Sequence, residues 1–160
     1  MTKVSFEIRV TAKDAIKFAE ISGDWNPLHT DPGYAATTPF KNTVLHGAYS
    51  AGLISQLAGM HLPGARCLLH GMRFRFLAPI IPPANLIVSG QQISGSDEGG
   101  KVDALVIDKE SGRRYVEAFY EYGLHETNDG AASVQKKEDA SSVVSTESPI
   151  LVTGASGGVG

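Results

Sequence analysis

One long apolar segment, residues 46–62, limits most strongly which folds are open to this chain. At about 3.6 residues per turn, its apolar side chains fall on nearly every side of a helix, which predicts a buried helix rather than one lying on a surface. Gly52 and Gly59 interrupt the segment, and each costs about 1 kcal/mol in a helix relative to alanine. We therefore predict that these glycines allow close packing against a sheet.

Five segments with the composition of strands flank this helix. One lies at residues 5–10 and leads into a short helix between Thr11 and Gly23; the others lie at residues 67–77, 85–94, 102–108 and 114–124. The later links GSDEGG and ESGR are short and rich in turn-forming residues, so they favour antiparallel neighbours. The order predicts an α+β fold in which an antiparallel five-stranded sheet wraps around a central helix.

The composition argues against several classes of protein. The chain has 160 residues, enough for one ordinary domain, and a formal net charge of −3. Because nucleic-acid and membrane-surface binders need clustered Lys and Arg, we expect neither kind of partner. The lone cysteine, Cys67, cannot form an internal disulfide, and the N-terminus lacks a signal-peptide pattern. Both features favour a cytoplasmic protein.

The segment SGDWNPLH carries the chemistry. It places the carboxylate of Asp24 five residues before the imidazole of His29, in a stretch rich in turn-forming residues that we predict to be mostly irregular. In such a stretch the two side chains can converge on one water molecule, as general acid/base catalysis requires. Pro27 stiffens the link between them. Outside this context, the two residues would indicate only a helix cap and a surface imidazole.

A second element, His46-Gly47, stands at the start of the apolar helix. The free N–H groups of a helix N-terminus, together with the close approach that glycine allows, predict an oxyanion hole at Gly47. Ser55 follows eight residues later, about two helical turns on, so we expect it on the same face. His46 itself is interpreted as a core histidine bonded to backbone rather than as a catalytic group.

These motifs resemble the MaoC-like hydratases, the (R)-specific enoyl-CoA hydratases of hot-dog fold. The resemblance rests on SGDWNPLHTDPGYAATTPF and VLHGAYSAGL, spans residues 14–60, and extends more weakly to FRFLAPI at residues 74–80. It implies the following roles: Asp24 and His29 as the catalytic dyad, Gly47 as the amide that holds the thioester oxygen, Ser55 as a supporting serine, and Asn26 as a residue of loop structure.

The resemblance also implies a reaction. Water adds to a trans-2-enoyl thioester to give a (3R)-3-hydroxyacyl thioester, or is lost in the reverse dehydration, with no metal and no organic cofactor. The acyl chain would be carried as a thioester of coenzyme A or of acyl carrier protein. A homodimer is implied, with the two sheets joined edge to edge.

Two other functions stay open at this point. A hot-dog thioesterase could use a similar acid/base pair, and a non-catalytic domain could bind acyl thioesters or dimerise a larger protein. Arg73 and Arg75 alternate along a strand, and they indicate either a solvated face or a contact with a substrate phosphate.

The composition changes near residue 127. Residues 128–148 are small, polar and charged, which predicts a flexible linker after a hot-dog domain at residues 1–127. Residues 149–160, PILVTGASGGVG, resemble the first strand and glycine-rich loop of a short-chain dehydrogenase/reductase, whose glycines would be Gly154, Gly158 and Gly160. Because the following helix is absent, we expect no functional NAD(P) site here. We also expect a reductase domain in a longer fusion protein.

Overall fold

Within residues 2–126, which the computed structural model describes, the chain forms five strands and four helices. In chain order these are β1 (Lys3–Val10), α1 (Ala12–Ser22), α2 (Pro27–Thr30), α3 (Pro32–Thr37), α4 (Gly47–Met60), β2 (Cys67–Phe76), β3 (Ala84–Gly95), β4 (Gly99–Asp108) and β5 (Arg114–Leu124). The linker and the glycine-rich segment predicted after residue 127 lie outside the described residues. No helix among residues 2–126 has the length and apolar character to cross a membrane.

The strands form one sheet in the order β1-β3-β4-β5-β2, and every neighbouring pair is antiparallel. The short links between β3, β4 and β5 make these strands sequential neighbours, as predicted. The strand β2 instead lies at the far edge beside β5, so that α4 crosses the sheet between β1 and β2. The predicted α+β fold, a five-stranded antiparallel sheet with a long helix against it, is confirmed.

Local capping determines where α1 begins and ends. The backbone N–H and the hydroxyl of Thr11 both donate to Asp14 Oδ2, at 2.7 and 2.8 Å, in a capping-box arrangement. Partial burial raises the pKa of Asp14, but these hydrogen bonds outweigh it and leave the pKa below its usual value. Gly23 ends the helix in the left-handed conformation, with φ of 76°. The chain therefore turns sharply just before Asp24.

The core lies between α4 and the inner face of the sheet. The helix buries Leu53, Ile54 and Leu57 against strand residues that include Leu86, Val88, Val102, Val106 and Val116. Our prediction that the helix is buried all round is wrong for the single chain. Six residues on its other side are exposed: Gly47, Ala48, Gly52, Ser55, Gln56 and Met60. The sheet covers only one side of α4, and apolar composition alone does not show which side that is.

A strand glycine, rather than the helix glycines, provides the close packing. A Cβ atom added at Gly90 on β3 would lie 2.9 Å from Leu57 Cδ2 and 3.2 Å from Val102 Cγ1. A Cβ added at Gly52 or Gly59 would meet nothing within 4 Å. The predicted role of the two helix glycines is therefore wrong, because neither points at the sheet.

This contrast gives a matched pair of substitutions. We expect Gly90→Ala to lower the free energy of unfolding by about 1–3 kcal/mol, because the methyl group forces Leu57 away from the sheet. Gly52→Ala removes a flexible residue from an exposed helix position and should raise that free energy by up to about 1 kcal/mol. Urea unfolding followed by circular dichroism measures both. Equal effects of the two substitutions would contradict this account of the packing.

Candidate active site

The segment after α1 is held by a series of local hydrogen bonds. The N–H of Asp24 donates to Ser22 Oγ at 3.2 Å, the N–H of Asn26 donates to Asp24 Oδ1 at 3.2 Å, and the N–H of Leu28 donates to Asn26 Oδ1 at 3.0 Å. Asn26 thereby caps α2, whose first residue is Pro27. The segment is more regular than predicted, since the short helix α2 lies within it.

His29 lies on α2, and one of its ring nitrogens is hydrogen-bonded to the backbone. Its Nδ1–H donates to the carbonyl oxygen of Val44 at 2.7 Å, and the N–H of Val44 donates in turn to the carbonyl oxygen of Leu28 at 3.1 Å. In the neutral ring this tautomer leaves Nε2 unprotonated and able to accept a proton. The side chain is half-buried and lines the pocket described below.

His46 lies beneath the dyad at the N-cap of α4. Its side chain is 1% exposed, and its Nε2–H donates to the backbone carbonyl oxygen of Asp24 at 2.9 Å. The His29 and His46 rings are 3.9 Å apart between centroids and tilted by 32°. The interpretation of His46 as a buried histidine bonded to backbone agrees with these contacts.

Asp24, His29 and His46 each place one polar side-chain atom within 4.8 Å of the other two. Of these, the His46 Nε2–H is occupied by the Asp24 carbonyl oxygen. The two atoms left free to bind a metal are an oxygen of the Asp24 carboxylate, whose side chain is 53% exposed, and His29 Nε2. Two protein ligands are fewer than the three that catalytic zinc sites use. The spacing instead suits one water molecule hydrogen-bonded to both groups at about 2.8 Å each.

A pocket of about 320 Å³ opens beside His29 and continues between α4 and the segment after β2. His29, Gly47, Ser50 and Phe76 line it, together with Val44, Leu45, His46, Leu77, Ala78, Pro79, Ile80 and Val116. The wall is mostly apolar, and its polar side chains are those of His29, His46 and Ser50. A larger groove of about 720 Å³ lies across the outer face of the sheet. That groove lies away from the dyad, so we place the candidate site at the smaller pocket.

Gly47 is the first residue of α4 and lines this pocket. As the first helical residue its N–H has no carbonyl partner within the helix. A Cβ added there would lie 3.4 Å from the ring of Phe76, in ordinary van der Waals contact, so a side chain at this position would occupy part of the space beside the pocket wall. The position of Gly47 therefore permits a carbonyl oxygen to approach the N–H closely.

Ser55 does not lie with these residues. It is exposed and does not line the pocket, whereas Ser50 is 1% exposed and does line it. Eight residues along an α-helix leave a rotation of about 80°, which carries Ser55 away from the position of Gly47. Ser50 stands three residues after Gly47, about one turn on, and sequence reasoning missed it. The three-residue spacing between Gly47 and Ser50 was the sequence feature that could have predicted it.

Arg73 and Arg75 point to the outer face of the sheet. Arg75, 77% exposed, pairs with Glu117 at 3.5 Å, and the guanidinium of Arg73 lies 5.5 Å from the centroid of the Phe119 ring. The interpretation of these residues as a solvated face agrees with their contacts. The glycines predicted to mark a reductase loop, Gly154, Gly158 and Gly160, lie outside the described residues.

Comparison with known proteins identifies the family. The family model described as "MaoC like domain" matches residues 2–111. The chain belongs to this family. The MaoC-like domain is 40% identical to the (R)-specific enoyl-CoA hydratase of Aeromonas caviae over 78 residues, which are 49% of this chain and 58% of that protein. The solved structure of the (R)-hydratase from A. caviae involved in PHA biosynthesis superposes with a TM-score of 0.73, at 28% identity, over 78% of this chain and 95% of that one.

A longer relative also matches. The peroxisomal hydratase-dehydrogenase-epimerase of Neurospora crassa is 31% identical over 107 residues, which are 67% of this chain and 11% of that protein. The chain spans about half the length of the curated hydratases and dehydratases it matches.

The cap at Asn26 can be tested by substitution. We expect Asn26→Ala to lower the free energy of unfolding by about 1 kcal/mol, because α2 loses its side-chain cap. Asn26→Asp keeps an oxygen at the same position and should stay close to the wild-type value. Urea titration measures both. A destabilisation by Asn26→Asp as large as that by Asn26→Ala would show that the cap is unimportant.

Proposed function

We propose that this domain hydrates trans-2-enoyl thioesters to (3R)-3-hydroxyacyl thioesters and catalyses the reverse dehydration. The observation that carries the proposal is the placement of the Asp24 carboxylate and the His29 imidazole within 4.8 Å of each other, with His29 lining a mostly apolar pocket. Similarity to the (R)-specific hydratase of Aeromonas caviae supports the same reaction and the same stereochemistry.

In this mechanism one water molecule donates a hydrogen bond to Asp24 and another to His29 Nε2. As the water oxygen adds to the β-carbon, one of its protons passes to the dyad and is then delivered to the α-carbon on the same face. Atoms balance, since the β-carbon gains OH and the α-carbon gains H. Asp24 Oδ1 already accepts the N–H of Asn26, so Oδ2 is the oxygen free to hold the water.

Negative charge develops on the thioester oxygen as the water adds. The N–H of Gly47, at the positive end of α4, is the group best placed to stabilise it. The apolar walls formed by Phe76, Ile80 and Val116 would then hold the first carbons of the acyl chain. Ser50 contributes a polar group to the same wall. Asn26 keeps the structural role described above, and we assign Ser55 no contact with the substrate.

The carrier of the acyl chain can be coenzyme A or acyl carrier protein, and we propose coenzyme A because the Aeromonas hydratase is named for that substrate. We also propose that residues 149–160 begin a Rossmann-type reductase domain, joined by a linker at residues 128–148 to the hydratase domain at 1–127. The Neurospora relative, whose name couples a hydratase with a dehydrogenase, supports this arrangement. The cytoplasmic location stays a prediction.

The edge strand β2 supports a homodimer. Eight of its ten residues are exposed, among them Leu68, Leu69, Met72 and Phe76. An exposed, apolar edge strand is open to pairing with another strand. We propose that two copies join at β2 to form one continuous sheet, which would cover these apolar side chains.

The dyad is tested with crotonyl-CoA, by following loss of the enoyl-thioester absorbance. We expect wild type to remove the band, and Asp24→Asn and His29→Asn each to lower kcat by at least ~100-fold, within the range of general acid/base catalysis. Asn at position 29 can still donate to Val44 but offers no base at the site of Nε2. Asp31→Asn is the control, because Asn also caps α3.

Three outcomes distinguish the possible functions. A (3R) product, established by chiral chromatography, supports the proposal. Release of free thiol instead would indicate a thioesterase. If the band persists with crotonyl-CoA, with longer enoyl-CoA thioesters and with a carrier-protein thioester, the domain binds or dimerises and the hydratase proposal is wrong.

The dimer is tested by sedimentation velocity. We expect Met72→Lys to weaken dimerisation by more than ~100-fold, since an unpaired charge buried in an interface costs about 3–5 kcal/mol. Ile93→Lys, on the exposed end of β3, is the matched control and should leave the dimer intact. A monomeric wild type, or a dimer that Met72→Lys does not affect, would rule out pairing through β2.

A further inference from the structure

We propose that His46 is a positioning residue, whose buried imidazole holds the Asp24 main chain and the His29 ring in their relative places. Its importance for catalysis rests on the proposed hydratase function. Its structural role is independent of that function, because it concerns only the contacts that one side chain makes with three segments.

The hydrogen bond from His46 to Asp24 joins residues 22 positions apart. The other hydrogen bonds of Asp24 are short-range, with Ser22 and Asn26, and its side chain is half exposed. His46 is instead held at the N-cap of α4, where its carbonyl oxygen accepts the N–H of Tyr49 at 3.1 Å. The imidazole thus links the exposed Asp24 segment to the helix that organises the core.

The same ring contacts aromatic side chains from two further elements. Phe18 of α1 lies 5.0 Å away between ring centroids at 52°, and His29 of α2 lies 3.9 Å away at 32°. The imidazole of His29 therefore packs against the imidazole of His46. The Nδ1–H of His29 donates to Val44, two residues before His46. One short stretch of chain before α4 therefore fixes both the direction and the tilt of the His29 ring.

The hydrogen bonding of the two ring nitrogens of His46 indicates the role of its imidazole. Donation from Nε2–H makes Nδ1 the acceptor nitrogen of the neutral ring. Nδ1 is buried, and it has no hydrogen-bond partner among residues 2–126. An unpaired buried polar atom is unfavourable, and an apolar side chain of similar size would avoid it. The feature of His46 that such a side chain cannot reproduce is the Nε2–H bond to Asp24.

His46 has no ring nitrogen left to act on a substrate. Nε2–H is occupied by the Asp24 carbonyl oxygen, and Nδ1 is enclosed. Its effect on the reaction must pass through Asp24 and His29. Displacing either catalytic group by about 1 Å can cost roughly 100-fold in rate. Loss of this one hydrogen bond should therefore lower kcat with little change in KM.

Two amide substitutions separate the ring nitrogens. The side-chain amide of Gln reaches the position of imidazole Nε2, whereas the shorter Asn reaches only that of Nδ1. We expect His46→Gln to retain most of the wild-type kcat and His46→Asn to lower it by roughly 30- to 100-fold with KM nearly unchanged. His61→Gln and His61→Asn are the matched controls, because His61 is exposed at the other end of α4 and should tolerate both changes.

Two further measurements test the positioning role of His46 independently of protein folding and of catalytic activity. Urea unfolding establishes that His46→Asn is folded. Nitrogen-15 NMR of the imidazole rings should show His46 protonated at Nε2 and unprotonated at Nδ1. The backbone amide shifts of residues 24–29 should move in His46→Asn and stay near the wild-type values in His46→Gln.

The outcomes are distinct. Rescue by Gln but not by Asn, in kcat and in the amide shifts, supports the proposal. Equal losses in the two folded variants, or an Nδ1-protonated His46 in wild type, would overturn it. If wild type hydrates none of the thioesters tested, the hydratase function fails, while the tautomer and the amide shifts still decide whether His46 positions this segment.

Discussion

The packing of α4 against the inner face of the sheet is the constraint on which the rest of this domain depends. Leu57 fits over Gly90, where the side chain of a larger residue would force Leu57 away from the sheet. The separation between helix and sheet is set there, about three turns from the N-terminus of α4. Because the helix is stiff, the same contact also determines where its N-terminus lies. His46 and Gly47, the cap and first residue of α4, therefore receive their positions from the core.

The candidate site combines short-range and long-range restraints. Hydrogen bonds between residues two positions apart shape the segment from Ser22 to Leu28, and they would form in much the same way in any fold that accepts this turn. The bonds from His29 to Val44 and from His46 to Asp24 span 15 and 22 residues. They exist only because α2 and the N-terminus of α4 meet. Asp24 and His29 thus lie in a segment that is shaped by local hydrogen bonds, whereas their placement relative to α4 depends on the tertiary fold.

The uncovered side of the domain has a different character. The far side of α4 and most of β2 stay exposed in the single chain, although both carry apolar or small residues. The pocket beside Gly47 lies next to this uncovered region and has Phe76 of β2 in its wall. Covering β2 in a dimer would therefore change the surroundings of the pocket as well as remove the exposed strand edge. Assembly and substrate binding would in that case share Phe76.

The sequence by itself determined the order of elements, the ends of α1 at Thr11 and Gly23, the antiparallel neighbours joined by short turns, and the five-residue spacing of Asp24 and His29. These features depend on backbone preferences and hydrogen bonds within a few residues, which a linear pattern records directly. Only the tertiary structure decided which side of α4 is buried. That choice placed Ser50 rather than Ser55 at the pocket, made Gly90 rather than Gly52 the close contact, and brought His46 beneath the dyad. Each depends on how far a twisted sheet extends over a helix, a distance that is set by packing between residues far apart in the chain.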